Sequence, residues 1–421
     1  MARTTTAISF FIACAFAHAQ QPAEPVSWAR SVEEAAQAND ELRAQSEVER
    51  AARYEANQAY AGFLPSLTAT AGLNYGASTE GDPSLARGGV YGKVVLNQSL
   101  FSGLADVGRL EKAQANLRSM RAKLALTKAK VSFDLKQAYS ALLYAQRSLV
   151  LQEEIIRRRQ KNHRIVELRF KSGRENRGSV LMSDANSKQA ALDLLQAKNA
   201  VSIARAELSQ VLGRDADVPV TVKEDIPLSP LPPPPEFQKL VVDTPDYADY
   251  VAAEDSARSD VKIARAGFLP SIGVEALAEN TGEHWFPEQK EKWNIGASIS
   301  FPIFNGGRDW NGIRRASAGL NAATSRRENV TRQLLAKLKV NYMAYQQNLE
   351  KLKVDESYRE ALFKRAEIAR SKYNNGLMTF EDWDIIEGEL ISREKAVLLT
   401  QRDLARSEST WQQAQGFGVI P

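Results

Sequence analysis

The residue types that most often carry catalysis or bind metals are few in this sequence and far apart. Its three histidines are His18, His163 and His284, and its single cysteine is Cys14. One cysteine excludes an internal disulfide framework and a cysteine-based zinc site. No nucleophile, base and orienting group occur in a recognisable arrangement, and no glycine-rich phosphate loop follows a predicted strand. The sequence therefore predicts no enzyme, no cofactor and no metal site.

The composition excludes further classes of protein. Among 421 residues, 55 Lys and Arg face 51 Asp and Glu, which leaves a formal net charge of +4. This balance is too mild for a nucleic-acid-binding protein, and a hydrophobic content of 43% is too high for a disordered chain. The basic run at residues 157–161 is interpreted as a solvated helix face. Beyond residue 20 no stretch offers the roughly 18 consecutive apolar residues of a membrane-spanning helix.

The first twenty residues have the layout of a secretory signal peptide. Arg3 precedes an apolar run over residues 7–17, and residues 17–19 (Ala-His-Ala) form a small-residue cleavage site. We expect residues 1–19 to be removed and the chain to be exported. Two alternatives stay open, namely a buried N-terminal helix and a lipid attached to Cys14, which ends a weak lipoprotein-like box.

An internal duplication organises the remainder of the chain. Four short motifs recur in the same order at nearly one spacing. Residues 61–67 recur as 266–272, 100–103 as 303–306, 138–141 as 341–344, and 170–173 as 373–376. The repeats span residues 20–217 and 237–421, and a proline-rich linker at 218–236 is predicted to be extended.

Each repeat is predicted to contain a helix, a β-hairpin, a very long helix and a further helix, so the fold class is mostly α with a small β part. The first repeat has a helix over 28–61, a hairpin over 64–101, a long helix over 103–171 and a helix over 180–212. The second repeat has the corresponding elements over 238–266, 270–304, 306–373 and 379–415. Ser102 and Asn305 are predicted to cap the long helices.

The long helices carry apolar residues at heptad spacing, such as Val131, Ala138 and Ala145. This pattern indicates packing against neighbouring helices. We expect the two shorter helices of each repeat to stack end to end along the long one, giving a bundle about 100 Å long.

The predicted strands alternate apolar and polar residues, and at about ten residues each they could cross a bilayer when tilted. Four strands cannot close a barrel, so several chains would have to pool their hairpins. Aromatic residues near the strand ends would then lie at the headgroup level, although they could equally be ordinary strand-end aromatics. They are Tyr75, Tyr91, Trp285, Phe286 and Trp293.

The duplicated halves, the Gly-Phe-Leu-Pro sequence before each hairpin and the Phe-x-Gly sequence after it resemble the TolC family of outer-membrane factors. The Phe-x-x-Gly and Tyr-Asn-Asn-Gly-Leu turns after the long helices are similar too, so the resemblance covers nearly the whole exported chain. It implies a homotrimer with a twelve-stranded barrel in the outer membrane of a Gram-negative bacterium, continued by a periplasmic α-helical barrel. It also implies a periplasmic adaptor and an inner-membrane pump as partners, outer-membrane lipid around the barrel, and no nucleic acid.

The function that the resemblance implies is a passive exit duct of a tripartite efflux or type I secretion system. The cargo, either small toxic molecules or unfolded protein, stays open. A periplasmic coiled-coil scaffold or adhesin without channel activity is the alternative.

Two turns would form the periplasmic tip. Family members narrow the closed pore with acidic rings at the start of the last helix. Counted from Gly376, Asp382 matches one such position and Ile385 the other, and Asp384 is a further acidic neighbour expected to face elsewhere. In the alternative interpretation, these carboxylates only satisfy the helix dipole.

The tip turns are also predicted to be adaptor-docking sites. The residues concerned are Gly173, Arg174, Arg177 and Gly178 in the first repeat, and Tyr373, Gly376 and Leu377 in the second. The first turn is interpreted as three residues longer than the second.

Overall fold

The computed structural model describes residues 25–76, 87–215, 220–282 and 291–421. The predicted signal peptide and residues 218–219 of the linker lie outside this part of the chain. In the first repeat the elements are β1 (Pro25–Val26), α1 (Trp28–Ala38), α2 (Asp40–Gln58), β2 (Ser66–Gly76), β3 (Arg87–Ser102), α3 (Ala105–Lys171) and α4 (Arg177–Val211). The linker and second repeat contain β4 (Thr221–Val222), α5 (Phe237–Val242), α6 (Pro245–Arg265), β5 (Ser271–Gly282), β6 (Glu291–Ser300), α7 (Arg308–Asn374) and α8 (Phe380–Gln415). None of the helices in the described ranges combines the length and the apolar character that crossing a membrane requires.

The long helices α3 and α7 have 67 residues each, which corresponds to about 100 Å at 1.5 Å per residue. Several of the heptad positions are buried, including Val131, Ala138 and Ala145. In α3, Leu135 and Leu142 are fully buried, and in α7 Leu338 and Tyr345 are. The core is thus a seam between helices.

The shorter helices stack end to end along the long ones. The side chain of Asn39, between α1 and α2, donates a hydrogen bond to the carbonyl of Val211 at the end of α4 (3.0 Å). The chain leaves α4 through Gly213, which has a φ of +71° and packs against the carbonyl of Ala38. In the second repeat Gly416, with a φ of +82°, packs equally tightly against Pro245 at the start of α6. Both junctions lie about halfway along the bundle.

Both first helices differ from the sequence prediction. The helix expected over 28–61 is interrupted at Asn39, which adopts an extended conformation and accepts a hydrogen bond from the amide of Leu42 to start α2 (3.1 Å). The helix expected over 238–266 is interrupted at Thr244, whose hydroxyl caps α6, and Pro245 follows at its first position. An Asx or Thr side chain can replace a helical hydrogen bond locally, and that competition produces both breaks.

The predicted caps of the long helices are wrong as well. Ser102 still belongs to β3, and α3 is preceded by Leu104, which has a φ of 70°. Asn305 likewise lies two residues before Gly307, which precedes α7 with a φ of 79°. Ser102 nevertheless accepts a hydrogen bond from the amide of Asp106 (3.1 Å). The strand-to-helix reversal requires left-handed backbone, and this displaces the cap by two residues.

The linker binds both repeats. The hydroxyl of Tyr139 on α3 donates to the carbonyl of Glu224, and that of Tyr342 on α7 donates to the carbonyl of Pro232 (2.9 Å). The hydroxyl of Tyr345 donates to the carbonyl of Ser229. The extended linker therefore satisfies its backbone on tyrosines from both long helices.

Candidate functional site

The four long strands form one antiparallel sheet in the order β2-β3-β5-β6. Directly paired residues of such a sheet point to the same face, so the register sorts the side chains into two faces. One face carries Leu67, Ala69, Ala71 and Leu73 on β2, Val90, Gly92, Val94 and Leu96 on β3, Ile272, Val274, Ala276 and Ala278 on β5, and Trp293, Ile295, Ala297 and Ile299 on β6. Over these positions the face is apolar across all four strands, and the polar Gln98 and Asn280 and the charged Glu291 lie on it only towards the strand ends.

The opposite face is predominantly polar. It carries Thr68, Thr70, Lys93, Glu275, Glu279, Lys292, Asn294 and Ser298, interrupted by the paired Val95 and Leu277. Lys93 pairs with Glu279, and Glu279 pairs with Lys292, so opposite charges alternate along this row of the sheet.

The apolar face is uncovered in the single chain. Trp293 is 77% exposed, Ile299 73% and Leu73 72%. An apolar sheet face of this size is stable only against an apolar environment. The hydrocarbon of a membrane provides such an environment, and the polar face of a closed sheet would then line an aqueous interior.

The predicted interface aromatics do not behave as one group. Trp293 lies on the apolar face, in keeping with a place at the headgroup level. Tyr91 lies on the polar face, where its ring covers Gly72 so closely that a Cβ there would meet it at 2.5 Å. Tyr91 therefore does not fit the interface role predicted for it, because strand alternation directs it away from lipid. The side chain of Tyr75 and the whole of Trp285 and Phe286 lie outside the described residues.

The other end of the bundle is formed by two turns with the same geometry. Residues 172–176 connect α3 to α4, and residues 375–379 connect α7 to α8. Gly173 and Gly376 adopt φ values of +71° and +78° at matching positions. The two turns therefore have the same length, and the prediction that the first is three residues longer is wrong. The sequence suggests that Gly178 belongs to a loop. In the structure Asn176 caps α4, and the helix begins at Arg177, so Gly178 is helical.

The tip turns present a set of exposed side chains on the end of the bundle. Gly173 and Arg174 are exposed on the first turn, Arg177 and Gly178 at the start of α4, and Gly376 and Leu377 on the second turn. Tyr373, which was predicted to belong to this surface, is fully buried instead.

Tyr373 connects the two hairpins at the tip. Its hydroxyl donates to the carboxylate of Glu175 (2.9 Å), its carbonyl accepts from the guanidinium of Arg169 (2.6 Å), and Arg169 also lies over its ring. Burial, together with the hydrogen bond to the Glu175 carboxylate, raises the pKa of Tyr373 above its ordinary value. The phenol is therefore neutral at physiological pH and remains a hydrogen-bond donor.

Three aromatic rings hold α7 and α8 together next to this contact. The ring of Tyr373 stacks on Trp383 at 4.3 Å, and Phe380 contacts both rings edge-on. The guanidinium of Arg370 pairs with the buried carboxylate of Glu387 (2.5 Å). These contacts join α7 to α8 at the tip, and Arg169 and Glu175 attach this hairpin to the α3–α4 hairpin through Tyr373.

The three predicted gate residues have different surroundings. Asp382 is exposed, and both its amide and its carboxylate bind the hydroxyl of Thr379, which caps α8 (3.2 and 2.7 Å). Ile385 is exposed on α8. Asp384 points between helices, where it accepts hydrogen bonds from Arg159 on α3 (2.5 Å) and Asn186 on α4 (3.0 Å). Asp384 therefore connects α8 to the first repeat. Its carboxylate faces α3 and α4, whereas that of Asp382 is exposed.

The basic run at residues 157–161 is only partly a solvated face. Arg158 pairs with Glu394 and Arg159 with Asp384, and all four side chains are mostly buried between α3 and α8. The sequence could have indicated this in one respect. Basic residues on a helix face that packs against other helices need acidic partners. Which acids these are depends on the pairing of α3 with α8, and the sequence gives no information on that.

Comparison with known proteins agrees with this architecture. The profile of the family described as outer membrane efflux protein matches residues 31–214 and 238–416. The cation efflux system protein CusC of Escherichia coli is 24% identical over 389 residues, which cover 87% of this chain and 81% of CusC. The alkaline protease secretion protein AprF of Pseudomonas aeruginosa is 25% identical over 189 residues, or 43% of this chain and 39% of AprF.

Among solved structures, the outer membrane protein VceC of Vibrio cholerae matches with a TM-score of 0.82 at 20% identity, covering 93% of this chain and 96% of that one. The two matched segments of the family profile coincide with the two repeats. The chain therefore belongs to the TolC family of outer membrane efflux proteins, which are transport channels and not enzymes, and its place is the outer membrane with its helices in the periplasm.

Proposed function

We propose that this protein is the exit duct of a tripartite export system, formed by three copies of the chain. The observation that carries the proposal is the four-stranded sheet with one exposed apolar face and one polar face. Its outer strands β2 and β6 have, within the described residues, no partner on their free edges. Unpaired backbone groups are not tolerated in hydrocarbon, so the edges must be closed by other copies.

Three copies would give a twelve-stranded barrel, the number that the family resemblance implies. The polar sheet face would line the pore, and the helices would continue it into the periplasm. The duct supplies a water-filled path, while the energy for transport comes from an inner-membrane pump joined to it by a periplasmic adaptor. In a periplasmic scaffold or adhesin without a membrane part, this apolar sheet face would stay in contact with water, which is unfavourable.

The tip would close the resting duct. Contacts of Tyr373 with Arg169 and Glu175 fasten the α7–α8 hairpin, and Asp382 and Ile385 are exposed at the start of α8. Opening would require the hairpins to separate, a two-state change that a docked adaptor would bias. Asp382 from three copies would place carboxylates around the narrowest part of the pore.

The first experiment is to extract the protein from outer membranes and measure its single-channel conductance in a planar bilayer. We expect the protein to leave the membrane only when detergent is added. The purified protein should then show discrete openings of low conductance. A Tyr373→Phe variant removes the hydrogen bond to Glu175 and should increase conductance, and Asp382→Asn should alter the response to cations. Tyr342→Phe is the control, because its hydroxyl binds Pro232 away from the tip. A protein that leaves the membrane without detergent and never conducts would disprove the proposal.

The exposed tip turns are the proposed adaptor-docking surface. Replacing Arg174 and Arg177 by Glu should abolish export in cells while leaving conductance in the planar bilayer unchanged. Loss of both activities would instead mean that the turn is needed for folding or assembly.

The cargo class is not fixed by the duct. Its relatives include a cation efflux system protein, CusC, and an alkaline protease secretion protein, AprF. A deletion strain should become sensitive to toxic small molecules if the system is an efflux pump. It should lose a secreted protein if the system is of type I.

A further inference from the structure

The segment between the sheet and the second long helix is apolar and uncovered. Residues 301–307 connect β6 to α7, and within them Ile303 and Phe304 are 92% and 84% exposed. Phe301 is exposed as well, and it keeps the two-residue spacing of Ile299 on the apolar face. The apolar surface of the sheet therefore continues past the last strand to the start of α7.

A tryptophan and an arginine follow this apolar segment. Trp310 and Arg314 lie in the first two turns of α7, and both are exposed. The guanidinium of Arg314 lies over the indole ring, 5.1 Å from its centroid. In the described part of the chain the charge of Arg314 has no carboxylate partner. The ring thus fixes the position of the cation without neutralising it.

Both side chains project from the outer side of the helices. Trp310 precedes Tyr345 by five heptads, so these two residues share one side of α7. Arg314 precedes Tyr342 by four heptads in the same way. Both tyrosines bind the linker, and a linker inside the duct would obstruct the passage, so this side is the outside. Gly319, nine residues after Trp310, lies on the opposite side of the helix, where a duct must stay open.

We propose that Trp310 and Arg314 bind the headgroup phosphate of an anionic phospholipid in the periplasmic leaflet of the outer membrane. This inference rests on the proposed function, which places the apolar sheet face in that membrane. Because the helices lie in the periplasm, the end of the sheet next to α7 is at the periplasmic leaflet. The indole lies at headgroup level, where tryptophan is enriched, and the guanidinium donates two hydrogen bonds to phosphate oxygens.

The first repeat has the apolar segment but not the tryptophan and the arginine. Leu100, the counterpart of Ile303, is exposed too. The counterparts of Trp310 and Arg314, however, are Val107 and Glu111. The carboxylate of Glu111 is paired with the ammonium group of Lys262 on α6 (2.6 Å). The duplicated fold therefore forms without an indole and a free cation at this place, and a structural role does not account for them.

The surrounding charges favour a headgroup with a net negative charge. Residues 301–325 contain three arginines, at positions 308, 314 and 315, and one acidic residue, Asp309. A Cβ on Gly267 would meet the carboxylate of Asp309 at 2.9 Å, so this carboxylate is directed towards the turn after α6. A zwitterionic headgroup would bring a further cation to this basic surface. Phosphatidylglycerol carries the same phosphate without one, and we expect the site to prefer it.

Thermal dissociation of the oligomer measures this preference. Purified full-length protein in detergent is mixed with phosphatidylglycerol or with phosphatidylcholine of the same acyl chains. Phosphatidylglycerol should raise the dissociation temperature of the wild type more than phosphatidylcholine does. Arg314→Gln should remove the difference between the two lipids, and Arg314→Lys should keep part of it, because the charge remains and the planar group is lost.

Arg332→Gln is the matched control. Arg332 is also an exposed arginine of α7, but it lies 18 residues beyond Arg314, which is about 27 Å further into the periplasm. This variant should keep the full preference for phosphatidylglycerol. Loss of the preference in Arg332→Gln as well would mean a general effect of surface charge and would overturn the site. Retention of the full preference by Arg314→Gln would overturn it too.

Two further arms separate the alternatives. Inorganic phosphate without lipid should not raise the dissociation temperature, and a rise equal to that with phosphatidylglycerol would replace the lipid by a free anion. Conductance in planar bilayers reports on the duct separately. A protein that conducts but responds equally to both lipids would overturn this inference and leave the duct intact. A protein that never conducts and leaves the membrane without detergent would overturn the duct itself.

Discussion

Lys136 on α3 and Glu408 on α8 form an ion pair with 2.7 Å between Nζ and Oε2, and both side chains are at least 97% buried. The other carboxylate oxygen of Glu408 accepts a hydrogen bond from the backbone amide of Ser229 in the linker (2.8 Å). One carboxylate therefore joins the first repeat, the second repeat and the segment between them. This carboxylate thus connects α3, α8 and the linker inside the bundle.

Replacing Lys136 by Met should destabilise the protein strongly, because the carboxylate of Glu408 would remain buried without a cation. The expected loss is about 3–5 kcal/mol in the free energy of unfolding. The double variant Lys136→Met/Glu408→Gln should recover much of it, since the amide oxygen still accepts from Ser229. Denaturant unfolding followed by circular dichroism measures both. A single variant as stable as the wild type would mean that water reaches the carboxylate.

Two neighbouring residues test the assignment of the sheet faces. Ile295 lies on the apolar face of β6 and Asn294 on the polar face. Ile295→Lys should prevent membrane assembly, because a charge facing lipid costs up to about 2–4 kcal/mol. Asn294→Lys should assemble normally. The yield of oligomer in outer membranes measures both effects, and equal yields would contradict the assignment.

Two glycines with the same backbone angle separate strain from crowding. Gly173 and Gly213 both have a φ of +71°, but a Cβ would meet nothing within 4 Å at Gly173 and the Ala38 carbonyl oxygen at 2.5 Å at Gly213. Gly173→Ala should therefore cost only the backbone strain, about 1 kcal/mol. Gly213→Ala should cost clearly more, because α1 and α4 must move apart. Thermal unfolding of the two variants compares them, and equal losses would show that the junction yields easily.

Tyr345 gives the stability of the bundle a dependence on alkaline pH. Burial, assisted by the nearby Glu408 carboxylate, raises the pKa of Tyr345 from 10.0 to about 12. The folded protein then keeps the phenolic proton at pH values where the unfolded chain loses it. This contribution is complete below pH 10 and is lost as the pH rises towards 12, by at most about 1.4 kcal/mol per pH unit. The free energy of unfolding should be measured from pH 9 to 12 for the wild type and for Tyr345→Phe. As the pH rises, the wild-type value should fall relative to that of Tyr345→Phe. Parallel curves would contradict it.

The turns at the tip show why a local pattern can be misread. Gly178 suggests a loop, yet it lies in the first turn of α4, because the side chain of Asn176 caps the helix through the amide of Ser179 (2.9 Å). Thr379 caps α8 through the amide of Asp382 in the same way. Capping is decided by a side-chain hydrogen bond to backbone, and residue type alone does not reveal which of several polar residues makes that bond.

The sequence by itself determined the duplication, the alternation of the strands, the heptad seams and the long uninterrupted helices. These features are local and periodic, so spacing along the chain is enough to read them. The tertiary structure decided which helices pair, and with that the roles of individual charges. In the folded chain Arg159 pairs with Asp384, and Tyr91 lies on the polar face of the sheet. Such contacts join residues more than 200 positions apart, or depend on strand register, and no local pattern encodes them.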